Sequence, residues 1–221
     1  PALTEKERRT VGQEVYRIYQ ERYHIRGNPP VPQSPRRHGP SAFLVGFQKC
    51  GTTWLHRCLR DHPDLFVPEE DEIHYFDIHY PAGPEWYEAF YAANTEGRTA
   101  VDTTSSYARS PFAPERILDY NPEAKILFTL RNPVDRAFSH YWHEKKKGKI
   151  AFNFEEFESN YDLFSAWIEP GDYLHTLKRW AAVFGKDRIL VLIQEELKEE
   201  PEASLRKVYD FLGVDPDFRS G

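Results

Sequence analysis

The chain has 221 residues, 40% hydrophobic and 15% aromatic, enough for one substantial α/β core and too few for two large domains. It contains no run of eighteen apolar residues and no signal-peptide pattern, so nothing in it reads as a membrane span. A formal net charge of −6 argues against a nucleic-acid partner and requires any anion site to be a local cluster.

In chain order, the sequence first predicts a helix over 4–22. Thr4 and Glu7 form a capping box there, and Val11, Val15, Ile18 and Tyr19 make one apolar stripe. Residues 27–40 are rich in proline and polar side chains and read as an extended linker. Residues 1–40 are thus expected to be an appendage that packs on the domain or binds a partner, with the core domain spanning 41–221. The core opens with a buried strand over 42–45 and a turn with glycines at 46 and 51. A helix follows in which Leu55, Cys58 and Leu59 share a face.

Further strands are expected at 65–67, 99–102, 125–130 and 188–193, with an aromatic-rich segment reaching Tyr91. Helices are expected at 114–120, 133–147, 152–167, 173–184 and 201–212. The stripe of the fourth of these is Leu174, Leu177, Trp180, Ala181 and Phe184. Strands alternating with helices imply a single α/β domain, its central, mainly parallel sheet covered by helices on both faces. Cys50 and Cys58 are too far apart for a disulfide, and reduced thiols fit a cytoplasmic protein. The chain has no methionine and stops soon after a helix, so it reads as a fragment whose C-terminal end is truncated.

Two strand ends carry anion-binding chemistry, where ligands of such sheets lie. The turn Gln48-Lys49-Cys50-Gly51-Thr52-Thr53-Trp54 joins a strand to a helix N-terminus. Free amides and the helix dipole favour a phosphate there, and Thr52 and Thr53 add hydroxyl donors. Gly46 and Gly51 have the separation of a nucleoside-triphosphate P-loop, but Thr52 stands where that loop has its lysine. Lys49 lies two residues earlier, inside the loop. At the second strand end, Arg131 offers a forked, permanently charged donor. Pro133 suits the first turn of a helix, which carries Ser139 about two turns along. Two such sites match a ligand with phosphates at both ends.

The segment Asp71-Glu72-Ile73-His74-Tyr75-Phe76-Asp77 offers an acid–base pair, because residues 72 and 74 of an extended segment point the same way. Its alternative is a solvated acidic loop. His140, His143, Lys145, Lys146, Lys147 and Lys149 form either a basic lip for an anionic acceptor or a helix end complemented by cations. The His and Cys spacings give no zinc pattern.

Together, Lys49-Cys50-Gly51-Thr52-Thr53-Trp54 and the Arg131…Ser139 pair resemble the 5′-phosphosulfate loop and 3′-phosphate site of sulfotransferases that use 3′-phosphoadenosine 5′-phosphosulfate (PAPS). The Glu72–Phe76 segment resembles the Glu-x-His-Phe-Phe segment of the heparan sulfate branch. The resemblance covers about 41–214, including a tail pattern from Gly171-Asp172-Tyr173 through Phe211-Leu212-Gly213.

That resemblance implies a P-loop-like sulfotransferase domain. It implies PAPS binding by Gln48, Lys49, Cys50, Gly51, Thr52, Thr53, Trp54, Arg131 and Ser139, with Trp54 either stacked on adenine or packed beside Leu55. It further implies catalysis by Lys49, by Glu72 as base and by His74 beside it, without a metal. Adenosine 3′,5′-bisphosphate (PAP) is the implied product, and the acceptor a hydroxyl or amine on a small molecule, a carbohydrate or a carrier-tethered group. Three departures stand out: Asp102-Thr103-Thr104 replaces a Glu-Lys-Thr segment with an acceptor-contacting lysine, and the family's cofactor-covering basic loop and nearby cysteine pair are missing. The competing readings are a P-loop nucleotide kinase using ATP–Mg and a catalytically silent binding module. Against the kinase stand the missing lysine after Gly51 and the lack of a metal-binding aspartate closing a buried strand.

Overall fold

A computed structural model describes residues 39–148, 153 and 171–219. The helices expected over 4–22 and 152–167, and the linker up to residue 38, lie outside the described residues. Among the described residues the elements are β1 (Ala42–Gly46), α1 (Thr52–Asp61), β2 (Leu65–Phe66), α2 (Pro84–Glu88), β3 (Thr99–Asp102) and α3 (Ala113–Tyr120). They continue with β4 (Lys125–Leu130), α4 (Pro133–Lys146), α5 (Tyr173–Phe184), β5 (Ile189–Ile193), α6 (Gln194–Glu199) and α7 (Pro201–Leu212). No described helix is long and apolar enough to cross a membrane.

The strands form one five-stranded sheet in the order β2-β3-β1-β4-β5, and every pairing is parallel. β1 is central, and all five of its residues are buried. Alternation along the strands divides the core into two layers. Phe43, Val45, Ile126 and Phe128 face a layer completed by Ile117 of α3 and by Trp180 and Phe184 of α5. Ala42, Leu44 and Leu127 face the other, completed by Leu55 and Leu59 of α1, Leu197 of α6 and Val208 and Leu212 of α7. Burying apolar side chains on both faces, at roughly 25 cal/mol per Å², is what favours a parallel sheet sandwiched by helices.

Two details depart from the sequence reading. Leu174, expected in the buried stripe of α5, is 59% exposed, and the helix packs through Trp180 and Phe184. The α6 helix was not anticipated. It follows β5 without an intervening turn, and only its Leu197 is buried.

The chain runs from β1 to β2 and β3 on one side of the sheet, then crosses to β4 and β5 on the other. That reversal beside β1 opens a crevice at the carboxyl ends of the strands, the place where α/β sheets bind ligands. The Phe47 amide donates to the Thr129 carbonyl at 2.8 Å, and the Thr129 hydroxyl donates to the Gly46 carbonyl at 3.2 Å. These bonds tie the loop after β1 to β4.

Candidate active site

A cavity of about 610 Å³ occupies that crevice. Segments following all five strands supply its wall: Lys49 and Thr52 after β1, Glu72 and His74 after β2, Ser105 after β3, Arg131 and Ser139 after β4, and Gln194 after β5. Five stretches far apart in sequence thus converge on one space.

The loop after β1 ends at Gly51, the N-cap of α1, in the left-handed conformation with φ 91°. A side chain there would be strained, and its Cβ would meet Gln194 Cγ at 3.2 Å. The Trp54 and Leu55 amides bond back to the Gly51 carbonyl at 3.1 Å each. Helix geometry leaves the Thr52 and Thr53 amides for an anion. Lys49 adopts φ 68°. Burial lowers the proton affinity of its amine, and the nearby Lys147 and Arg131 cations lower it further, while Glu144 opposes them. An anion between these cations would relieve the crowding of like charge.

Arg131 follows β4 directly. The Tyr173 hydroxyl donates to its carbonyl at 2.8 Å, and its Nη1 lies 3.5 Å from the Lys49 carbonyl oxygen. Its Nε is buried with no hydrogen-bond partner among the described residues, so the guanidinium has donor capacity that an anion would satisfy. Asn132 caps α4 by accepting from the Val134 and Asp135 amides, with Pro133 in the first turn. The helix carries Ser139 onto the same cavity wall as Arg131.

Opposite chemistry comes from the segment after β2. Tyr75 and Phe76 are almost fully buried, and the Tyr75 ring stacks on Tyr87 with centroids 4.4 Å apart. These aromatic anchors fix the backbone around Glu72 and His74. The pair do not meet through extended alternation as expected, because His74 sits at φ 59°. Even so, Glu72 Oε2 lies 3.6 Å from His74 Nε2. Burial pushes the Glu72 carboxyl up to about 7, against the opposing pull of the Ser105 hydroxyl and of His74. Burial works against the His74 imidazolium, but the Asp77 carboxylate outweighs it, with help from Glu72, and the net proton affinity is raised. His74 Nδ1 lies 3.3 Å from Asp77 Oδ2 and 3.0 Å from Ser106 Oγ.

The turn after β3 braces this segment. Asp102, fully buried, accepts from the Tyr87 hydroxyl at 2.6 Å, the Tyr107 hydroxyl at 3.2 Å, and the Thr104 amide and hydroxyl at 2.9 and 2.6 Å. The Ile73 amide donates to the Thr104 hydroxyl oxygen at 3.1 Å, and the Phe76 amide to the Tyr107 hydroxyl oxygen at 3.2 Å. Thr103, the middle residue of the Asp102-Thr103-Thr104 segment, is buried with its hydroxyl 2.8 Å from His56 Nδ1.

Of the residues singled out from sequence, Gln48, Lys49, Gly51, Thr52, Thr53, Glu72, His74, Arg131 and Ser139 share the cavity wall. Cys50 and Trp54 stand outside it. The Cys50 thiol is buried 3.7 Å from the Tyr173 hydroxyl, and burial raises it to about 11. Trp54 is 38% exposed, which does not fit the core-packing alternative. Sequence reasoning missed Ser105, Ser106 and Gln194. Their one legible signal was position, since hydroxyl and amide side chains just past a strand's carboxyl end are candidates for a binding crevice.

Comparison with known proteins bears on this geometry. A solved structure, a sulfotransferase from Alicyclobacillus acidocaldarius, superposes with a TM-score of 0.75 at 30% identity, covering 82% of this chain and 84% of that one. A heparan sulfate glucosamine 3-O-sulfotransferase 6 of Mus musculus is 33% identical over 191 residues, 84% of this chain and 56% of that protein. A bifunctional heparan sulfate N-deacetylase/N-sulfotransferase 1 of Mus musculus is 34% identical over 194 residues, 79% of this chain and 22% of that protein. The chain therefore spans about half or less of the length of these curated relatives. The family model described as a sulfotransferase domain matches residues 40–219, which takes in all five described strands and the turns after β1 and β4, and the chain belongs to that family.

Proposed function

We propose that this chain transfers a sulfuryl group from PAPS to a hydroxyl or amine of a carbohydrate acceptor. The observation that carries the reading is the arrangement of one cavity, in which two anion-binding turns and a half-buried carboxylate, Glu72, share the wall. Sulfotransferases of this family use PAPS and release PAP. The relatives' names specify 3-O- and N-sulfation of heparan sulfate, and this supports a carbohydrate acceptor. The matches are to sulfotransferases, and with Thr52 in place of the P-loop lysine they favour this reading over the ATP–Mg kinase.

The residues present fit the cofactor. Lys49, Thr52 and Thr53 would hold the 5′-phosphate through charge, amides and hydroxyls, while Arg131 and Ser139 would hold the 3′-phosphate. Bound PAPS supplies the sulfuryl group and departs as PAP. An in-line displacement builds negative charge on the leaving oxygen, and the Lys49 ammonium is the chain's cation for that charge. Glu72 accepts the acceptor's proton. A carboxyl poised near 7 is suited to that work, because a useful fraction is ionised at neutral pH and its affinity for the incoming proton is high. His74, held by Asp77 and Ser106, keeps a partial positive charge beside Glu72 and steadies its ionised form.

A mass-spectrometric screen of sugar, phenol, lipid and carrier-tethered acceptors with PAPS tests the proposal. A product heavier by one sulfuryl group on a sugar, dependent on PAPS and lost in Lys49→Ala, is expected. Transfer confined to phenols or lipids would overturn the carbohydrate assignment.

A further inference from the structure

We propose that Ser105 is the positioning residue of Glu72, holding carboxylate oxygen Oε1 with two donors so that Oε2 is turned toward His74. The inference rests on the reading of Glu72 as the base and goes beyond it, because it assigns the two carboxylate oxygens different tasks. Both the Ser105 amide, at 3.3 Å, and the Ser105 hydroxyl donate to Oε1. Oε2 is buried with no hydrogen-bond partner among the described residues and lies 3.6 Å from His74 Nε2. A carboxylate can accept about four hydrogen bonds. Concentrating the Ser105 donors on Oε1 leaves Oε2 to face the His74 ring.

The scaffold that aims Ser105 is rigid. Its neighbour Thr104 is locked to buried Asp102 by both amide and hydroxyl and also receives the Ile73 amide. One short turn therefore fixes Glu72 from two directions, through the backbone at Ile73 and through the carboxylate at Ser105. Ser106, the next residue, binds His74 and Asp77 instead. Two adjacent serines thus serve the two members of the acid–base pair separately.

Donation from Ser105 also favours the ionised carboxylate and opposes the effect of burial. Other titratable groups facing the cavity are Asp71 and His74 beside Glu72, Lys49 and Arg131 in the anion-binding turns, and His140, His143, Glu144 and Lys147 on and just after α4. None of these changes in a Ser105 substitution, so a shift of Glu72 in that variant reports the lost donor.

The test is a carboxyl-carbon NMR titration of the full chain labelled at glutamate, with the Glu72 signal assigned by its loss in Glu72→Gln. Ser105→Ala should move the Glu72 midpoint up by about one pH unit, the equivalent of one hydrogen bond to a charged group. Ser105→Thr, which keeps the hydroxyl, should restore it. An unchanged midpoint in Ser105→Ala would overturn the proposal, and so would a shift that Ser105→Thr fails to reverse, because that would reflect a deformed turn. The measurement needs no acceptor. If Glu72→Gln kept full turnover, the base assignment would fall while the titration still decided whether Ser105 holds the carboxylate.

Discussion

Glu72 and His74 form a half-buried couple, Oε2 to Nε2 at 3.6 Å, in which each member alters the other's hold on a proton. Burial raises the carboxyl to about 7, so catalysis by its ionised form should increase with pH and level off above neutrality. Glu72→Gln should lower kcat about 10²–10⁴-fold while leaving PAP affinity close to that of the unmodified protein. If His74→Ala removes turnover and Glu72→Gln does not, the histidine is the base.

The same shift has a consequence for stability. A folded-state value above the unfolded 4.5 means the native protein binds this proton more tightly. The contribution is fully present below pH 4.5 and is lost as pH rises through about 7. Glu72→Gln should therefore raise stability at pH 8.5 by about 1–3 kcal/mol and have little such effect at pH 4. Thermal melts at the two pH values check this. Equal effects at both would contradict it.

Arg131 and Ser139 are assigned to the 3′-phosphate. Arg131→Ala should weaken PAP binding about thirty- to a hundredfold, the cost of one charged hydrogen-bonding group, and leave adenosine 5′-phosphate almost unaffected. Calorimetry with both nucleotides is the check, and equal weakening would remove the assignment.

Asp102 is buried and accepts four hydrogen bonds. Asp102→Ala would strand the hydroxyls of Tyr87, Thr104 and Tyr107, and unsatisfied buried groups cost about 1–3 kcal/mol each. A loss of at least about 3 kcal/mol in urea unfolding is expected. A loss under about 1 kcal/mol would show that the turn after β3 does not depend on this carboxylate.

Much of the fold was legible because strands and long helices announce themselves by period. The apolar runs at β1, β4 and β5 and the stripe of α7 needed only local reading. By contrast, α6 is six residues long, polar and directly joined to β5, so it has neither a stripe nor a turn signal. The aromatic stretch around Tyr75 and Phe76 is organised by ring packing on distant segments, Phe76 against Phe43 and Tyr120, which no local period encodes.

The site divides in the same way. The turns after β1 and β4 are local strand-to-helix motifs, so Lys49 and Arg131 could be read from their neighbours. Ser105 could not, because a serine is generic until its contact with Glu72, 33 residues earlier in the chain, is known. Glu72 and His74 line one cavity, with Oε2 and Nε2 3.6 Å apart. The left-handed His74 backbone, and not extended alternation, brings them together.

The central claim is that the cavity binds PAP as the desulfated cofactor and is not a site for a nucleoside triphosphate. Isothermal calorimetry with PAP and with ATP–Mg, on the unmodified chain and on Lys49→Ala, tests it most directly. The account predicts that PAP binds the unmodified chain more tightly than ATP–Mg does, without added metal, and that Lys49→Ala weakens PAP. Tighter binding of ATP–Mg, or no measurable heat with PAP, would contradict it.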